Sequence, residues 1–89
     1  MKLEIAINKA FKELKKNNIK TAMLDSELLM SKAINKNREF IILNLKSEIN
    51  EKDYHYFQKL IYERSKGKPI AYLMGKKFFW KYEFKINEK

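Results

Sequence analysis

Basic and aromatic side chains alternate near the end of the stretch GKPIAYLMGKKFFWKYEFKI, residues 67–86, which also holds both glycines, the only proline and the only tryptophan. Lysines that pair with phosphates, interleaved with rings that stack on bases, are typical of a surface for single-stranded nucleic acid. The residues concerned are Lys76, Lys77, Lys81 and Lys85 with Phe78, Phe79, Trp80, Tyr82 and Phe84. The same alternation also fits a β-hairpin whose rings bury one face while lysines cover the other. We favour the hairpin and do not expect nucleic acid to be the partner.

Side chains suited to catalysis or metal binding are scarce. His55 is the only histidine and cysteine is absent, so neither a second imidazole nor a thiolate is present to share a metal ion. The carboxylates are interleaved with lysines at helical spacing, and we expect them, Asp25 among them, to be surface ion-pair partners. Two glycines eight residues apart cannot form the glycine-rich cradle of a nucleotide-binding loop. The sequence therefore predicts no catalytic, cofactor-binding or metal-binding residue in this chain.

The composition indicates one small soluble domain. A chain of 89 residues, 45% hydrophobic and 13% aromatic, can form a modest core and does not have the composition of a disordered segment. No apolar run reaches the roughly 18 residues of a membrane span, and the first 16 residues do not form a signal peptide. The net charge of +9 comes mostly from lysine, since Arg38 and Arg64 are the only arginines. We attribute most of these lysines to a general bias of the sequence toward lysine. The remaining positive charge favours an acidic partner.

The first half of the chain predicts three helices. Residues 2–16 place Leu3, Ile7, Ala10, Phe11 and Leu14 on one stripe, and the pair Asn17-Asn18 ends this helix. A second helix over 22–34 has a broad apolar face that includes Leu24, Leu28, Leu29 and Ala33. Residues 38–43 form either a short third helix or a buried strand, because the apolar run is too short to distinguish the two.

The second half predicts two more helices and then a change of period. Asn50 is the expected N-cap of a helix that Gly67 closes, and Pro69 begins a short helix that ends at Gly75. From Phe78 onward apolar residues recur at every second position, the pattern of a strand or hairpin. The predicted fold class is therefore mainly α: a small bundle of four to five helices followed by a C-terminal β-hairpin linker.

Two motifs carry a resemblance to a known family. The run R-S-K-G-K-P-I-A-Y-L-M-G at 64–75, followed by Phe79-Trp80 and the alternating Tyr82, Phe84 and Ile86, resembles the end of the N-terminal domain of the HemK/PrmC family. The upstream run L-D-S-E-L-L at 24–29 resembles the D-A-E-x-L-L helix start of the same family. Members of this family are methyltransferases of peptide chain release factors, and the resemblance covers essentially the whole chain.

The resemblance implies a longer protein with a second domain. Residues 1–75 would be the helical substrate-recognition domain, and residues 76–89 a β-hairpin linker toward a catalytic domain absent from this chain. That catalytic domain would bind S-adenosylmethionine and methylate the side-chain amide of the glutamine in the Gly-Gly-Gln loop of class I release factors. The family's Asn-Pro-Pro-Tyr motif, which contacts the reacting amide, is not in this chain. We expect a cytoplasmic enzyme of which this chain is the N-terminal domain.

The same resemblance implies a role in holding the release factor, whose acidic surface would attract a basic domain. We place the contact at Arg64, Lys68, Tyr72, Lys76 and Lys77. The alternative role for Arg64 and Tyr72 is to brace the junction between the last helix and the hairpin. The competing functional interpretations are a free-standing small basic RNA-binding module and a free-standing helical adaptor.

Overall fold

The computed structural model describes residues 1–75, which form five helices. These are α1 (Leu3–Lys16), α2 (Ala22–Ile34), α3 (Arg38–Leu43), α4 (Glu51–Ser65) and α5 (70–75). The predicted bundle of helices is confirmed over these residues, and the run at 38–43 is a helix rather than a strand. The predicted β-hairpin at 76–89 lies outside the described residues.

The core lies where α1, α2 and α4 meet. The helix α2 packs against α1, α3 and α4, and α1 also packs against α4. The largest fully buried apolar side chains are Phe57, Leu14, Leu29, Met30 and Ile41. Each such side chain contributes about 1.5–3 kcal/mol when it is removed from water. The predicted stripe on α1 is confirmed at Leu3, Ile7, Ala10 and Leu14, with Phe11 half-buried at its edge.

The buried face of α2 differs from the face predicted from its leucines. Leu24, expected on the buried face, is 41% exposed, whereas Asp25 and Ser26 are buried. The hydroxyl of Ser26 donates to the carbonyl of Ala22 at 2.8 Å, so this polar group is satisfied inside the core. The buried face is therefore set by the direction from which α1 and α4 approach, and it includes small polar residues.

Asparagines define several helix ends. The side chain of Asn50 accepts a hydrogen bond from the amide of Asp53 at 2.8 Å, as predicted for the start of α4, and Asn37 does the same for Phe40 at the start of α3. Asn18 and Asn35 follow α1 and α2 with φ of 64° and 59°, in the left-handed region that asparagine tolerates. These local signals explain why the helix boundaries follow the sequence closely.

The N-terminus of the chain is bound to the segment that precedes α4. The amides of Leu3 and Glu4 donate to the carbonyls of Ser47 and Leu45, which satisfies the start of α1 where no side chain caps the helix. The amide of Ile49 donates to the carbonyl of Met1, and the N-terminal ammonium lies 2.7 Å from the carboxylate of Glu48. This ammonium lowers the pKa of Glu48 below its ordinary value through a hydrogen bond and its charge.

Candidate functional site

A buried ion pair joins α2 to the end of α4. The Nε of Arg64 donates to the Oδ2 of Asp25 at 2.8 Å, and the hydroxyl of Thr21 donates to the same oxygen at 2.9 Å. Asp25 is 2% exposed and the Arg64 side chain 16% exposed. The expectation that Asp25 is a surface ion-pair partner is therefore wrong, because α4 brings Arg64 over it and excludes water.

The same arginine also holds the turn that leads into α5. Its Nη1 donates to the carbonyl of Lys68 at 2.8 Å. In this turn the amides of Gly67 and Lys68 donate to the carbonyls of Arg64 and Glu63, which is the Schellman pattern of a helix C-terminus. Gly67 has a φ of +102°, a conformation that favours a residue without a Cβ, and it closes α4 as the sequence predicted. Arg64 thus connects α2, the end of α4 and the start of α5.

Helix α5 begins immediately after this turn. The amides of Tyr72 and Leu73 donate to the carbonyl of Pro69, which is therefore the N-terminal acceptor of the short helix. Leu73 and Met74 are buried against the bundle. Ala71 and Tyr72 face away from it and are exposed. The helix therefore has a buried apolar face that packs on the core and an opposite face that is exposed to solvent.

The structure separates the predicted partner-binding residues into two groups. Arg64 is held inside the domain by hydrogen bonds to Asp25 and to the Lys68 carbonyl, so it braces the turn between α4 and α5. Lys68 and Tyr72 lie together on the surface: the Lys68 Nζ is 5.3 Å from the centre of the Tyr72 ring, and Tyr72 is 69% exposed. Lys76 and Lys77 lie outside the described residues.

A second lysine–tyrosine pair, which the sequence interpretation missed, lies at the end of α4. The Nζ of Lys66 is 5.2 Å from the centre of the Tyr62 ring, and Tyr62 is 60% exposed. The spacing of four residues between a tyrosine and a lysine on a helix would have indicated this contact. Each pair presents a cation beside an exposed ring, an arrangement suited to a partner that offers a carboxylate next to an apolar group.

A shallow surface groove of about 340 Å³ runs along the contact between α1 and α4. Its floor is open because Ala6 and Ala10 have small side chains, and Tyr54 and Tyr62 form part of its α4 wall. Lys9 and Glu13 line the α1 side, so their charges offset each other.

Neither metal binding nor membrane insertion is indicated over residues 1–75. No group of three or more His, Cys, Asp or Glu side chains in this part of the chain is close enough to hold a metal ion. None of its helices combines the length and the hydropathy that crossing a bilayer requires. Every buried polar side chain in the same residues has a hydrogen-bond partner.

Comparison with known proteins identifies relatives across the whole chain. The family model for the PrmC N-terminal domain matches residues 6–75. The chain is 37% identical to a bifunctional methyltransferase of Rickettsia felis over 92% of its own length and 16% of that protein. It is 35% identical to a release factor glutamine methyltransferase of Leptospira interrogans, again over 92% of its own length and 29% of the relative.

A third relative matches the complete chain: a release factor glutamine methyltransferase of Buchnera aphidicola subsp. Schizaphis graminum is 32% identical over 100% of it and 32% of the relative. No solved structure matches the chain. The chain thus spans a third or less of the length of these curated relatives. The family match begins in α1 and ends at Gly75, the last residue that the structure describes, so it covers nearly all of the five helices. The chain therefore belongs to the PrmC N-terminal domain family.

Proposed function

We propose that this chain is the N-terminal domain of a release factor glutamine methyltransferase and that it helps to bind a class I peptide chain release factor. The observation that carries the proposal is the match of the family model to residues 6–75, which covers nearly all of the five helices. Two of the relatives are named for this activity, and this chain corresponds to a third or less of their length. The remaining length would hold the methyltransferase domain, which would act on the glutamine of the Gly-Gly-Gln loop in the cytoplasm.

S-adenosylmethionine would supply the methyl group, and we assign its binding to the domain that follows. Gly67 and Gly75 each end a helix, and neither belongs to a glycine-rich loop in which backbone amides converge on a ligand. The residues of this chain would therefore act on the protein substrate rather than on the methyl donor.

The exposed pair Lys68 and Tyr72 is the part of the described surface that we propose contacts the release factor. Lys68 pairs with Glu63 at 3.5 Å while nearly half of its side chain is exposed, so the ammonium can reorient toward a carboxylate of a partner. Tyr72 adds exposed ring area at small entropic cost, a property that makes tyrosine common in protein interfaces. Lys76 and Lys77 follow in sequence and would extend the contact. The net charge of +9 would speed association with an acidic partner.

Titration of the isotopically labelled chain with a class I release factor tests this surface. We expect chemical-shift changes at Lys68 and Tyr72, and a dissociation constant about 10-fold larger for Tyr72→Ala. Tyr56→Ala is the matched control, because Tyr56 is also exposed but lies in α4. Shifts confined to α1, or no shifts at saturating release factor, would contradict the placement.

A second experiment tests the activity of the longer protein. We expect the reading frame to continue past the Lys89 codon, and the full enzyme that it encodes is compared with a form that lacks residues 1–75; a stop codon at that point would remove catalysis from the proposal. We expect the shortened enzyme to lose most of its methylation of the intact release factor and to retain methylation of a short peptide containing Gly-Gly-Gln. Equal loss on both substrates would indicate damage to the catalytic domain, and no loss on either would refute the recognition role.

A further inference from the structure

We infer that Arg64 is a positioning residue: through simultaneous hydrogen bonds to Asp25 and to the Lys68 carbonyl, it fixes the position of α5, and of the turn before it, against the bundle. This inference rests on the proposed function, because that position sets how Lys68 and Tyr72 are presented to the release factor. Arg64 itself would not touch the release factor.

The shape of the arginine side chain allows it to bind two acceptors at once. A guanidinium is planar and rigid, and it offers donors in two directions at once. In this domain its Nε is used by Asp25 of α2 and its Nη1 by the carbonyl of Lys68, with both distances at 2.8 Å. A lysine at position 64 could still pair with Asp25, but its single nitrogen could not also hold the Lys68 carbonyl in this geometry.

The Asp25–Arg64 pair is anchored on the side away from α5. Asp25 is buried, and its Oδ2 also accepts from Thr21 at 2.9 Å. Thr21 and Asp25 bracket the start of α2, the helix that packs against α1, α3 and α4. The Arg64 guanidinium is therefore held in place by α2, and it in turn holds the turn before α5 in place.

Helix α5 is held to the bundle by a small set of contacts. Its six described residues are too few for a helix to be stable by itself. Leu73 and Met74 are buried, and Ile70 packs partly buried against the core. The Schellman hydrogen bonds at Gly67 set the local turn but do not reach α2. The Lys68–Glu63 pair joins this turn to α4, whereas the Arg64 bridge joins the turn before α5 to α2.

Arg64→Lys separates a positioning role from a general contribution to folding. In the 89-residue chain, we expect this variant to lower the hydrogen-exchange protection of the Leu73 amide at least 10-fold, while the amides of Leu14 and Phe57 in the core change less than 2-fold. Arg38→Lys is the matched control, because Arg38 makes a 2.7 Å pair with Glu27 that is distant in sequence from α5 and more exposed. It should leave Leu73 unchanged.

The full enzyme supplies the second readout. We expect Arg64→Lys to raise the KM for the intact release factor about 5- to 10-fold while kcat on a short Gly-Gly-Gln peptide stays within 2-fold of the parent. Unchanged Leu73 protection together with an unchanged KM would overturn the inference, as would equal loss of protection in all helices. Failure of the parent enzyme to methylate any release factor would refute the proposed function instead, and the exchange experiment would still decide the role of Arg64 in holding α5.

Discussion

Removing the carboxylate of Asp25 should be among the most damaging polar substitutions in this domain. Asp25→Ala deletes the acceptor of two hydrogen bonds, from Thr21 and from Arg64, and leaves the guanidinium without its counter-charge. Breaking a buried ion pair by removing one partner costs about 3–5 kcal/mol. The Arg64 side chain retains 16% exposure and can reach some water, which places the expected loss near about 3 kcal/mol.

Two smaller effects of this substitution nearly cancel. Alanine is a better helix former than aspartate by about 0.6 kcal/mol. The lost carboxylate, which lies in the first turn of α2, contributes about 0.5 kcal/mol with the helix macrodipole. A net loss of about 3 kcal/mol corresponds to a decrease in Tm of roughly 12–24 °C for a domain of this size. A loss of about 3 kcal/mol is a large part of the roughly 5–15 kcal/mol by which a typical domain is stable against unfolding.

Urea unfolding followed by circular dichroism at 222 nm measures the change. The matched control is Glu27→Ala, which breaks the Glu27–Arg38 pair of 2.7 Å, where the Arg38 side chain is 49% exposed. We expect that control to cost only about 0.5 kcal/mol. The double variant Asp25→Ala/Arg64→Met should cost less than the sum of its single variants, because no unpaired charge remains. A loss for Asp25→Ala below about 1 kcal/mol, or one equal to that of Glu27→Ala, would refute the reasoning.

Three further predictions concern helix ends and the N-terminus. Gly67→Ala should cost about 1 kcal/mol in urea unfolding, because its φ of +102° is unfavourable for alanine while no neighbouring atom lies within 4 Å; a neutral result would contradict this. Asn50→Ala should cost about 1 kcal/mol by removing the cap on the Asp53 amide, and an increase in stability would exclude the cap. Glu48 should titrate by NMR below its ordinary pKa of 4.5, so its stabilising effect is present above that pH and is lost as the pH falls through the lowered value. Acetylation of the α-amino group should bring this midpoint back toward its ordinary value, and an unchanged midpoint would exclude the ammonium as the cause.

The sequence predicted those features that depend on neighbouring residues. Asn50, Gly67 and Pro69 act on the backbone within a few positions of themselves, so the helix starts and ends could be located without a structure. The stripe on α1 was also predictable, since one long amphipathic helix has only one face to bury. The resemblance that indicated the family depends on the same kind of residue, those that end and begin helices around Gly67 and Gly75.

Features that depend on partners distant in the chain were not predictable in this way. Arg64 is 39 residues from Asp25, so the sequence could not show that the two are paired and shielded from water. The apolar run of α3 could not show which residue is buried: Ile41 is fully buried, whereas Leu43 in the same short helix is 81% exposed. In each case the outcome depends on the direction from which another helix approaches.

The attachment of the N-terminus has a practical consequence for how this domain can be shortened or extended. Met1 and Ile49 are joined by a hydrogen bond, and Asn50, the cap of α4, is the next residue in the chain. A deletion of the first few residues would therefore not simply fray one end of α1, as it does in domains with a free terminus. It would release the strap of residues 45–49 and, with it, the start of a helix nearly fifty positions away, so a fusion partner joined at Met1 requires a flexible linker that leaves this strap in place.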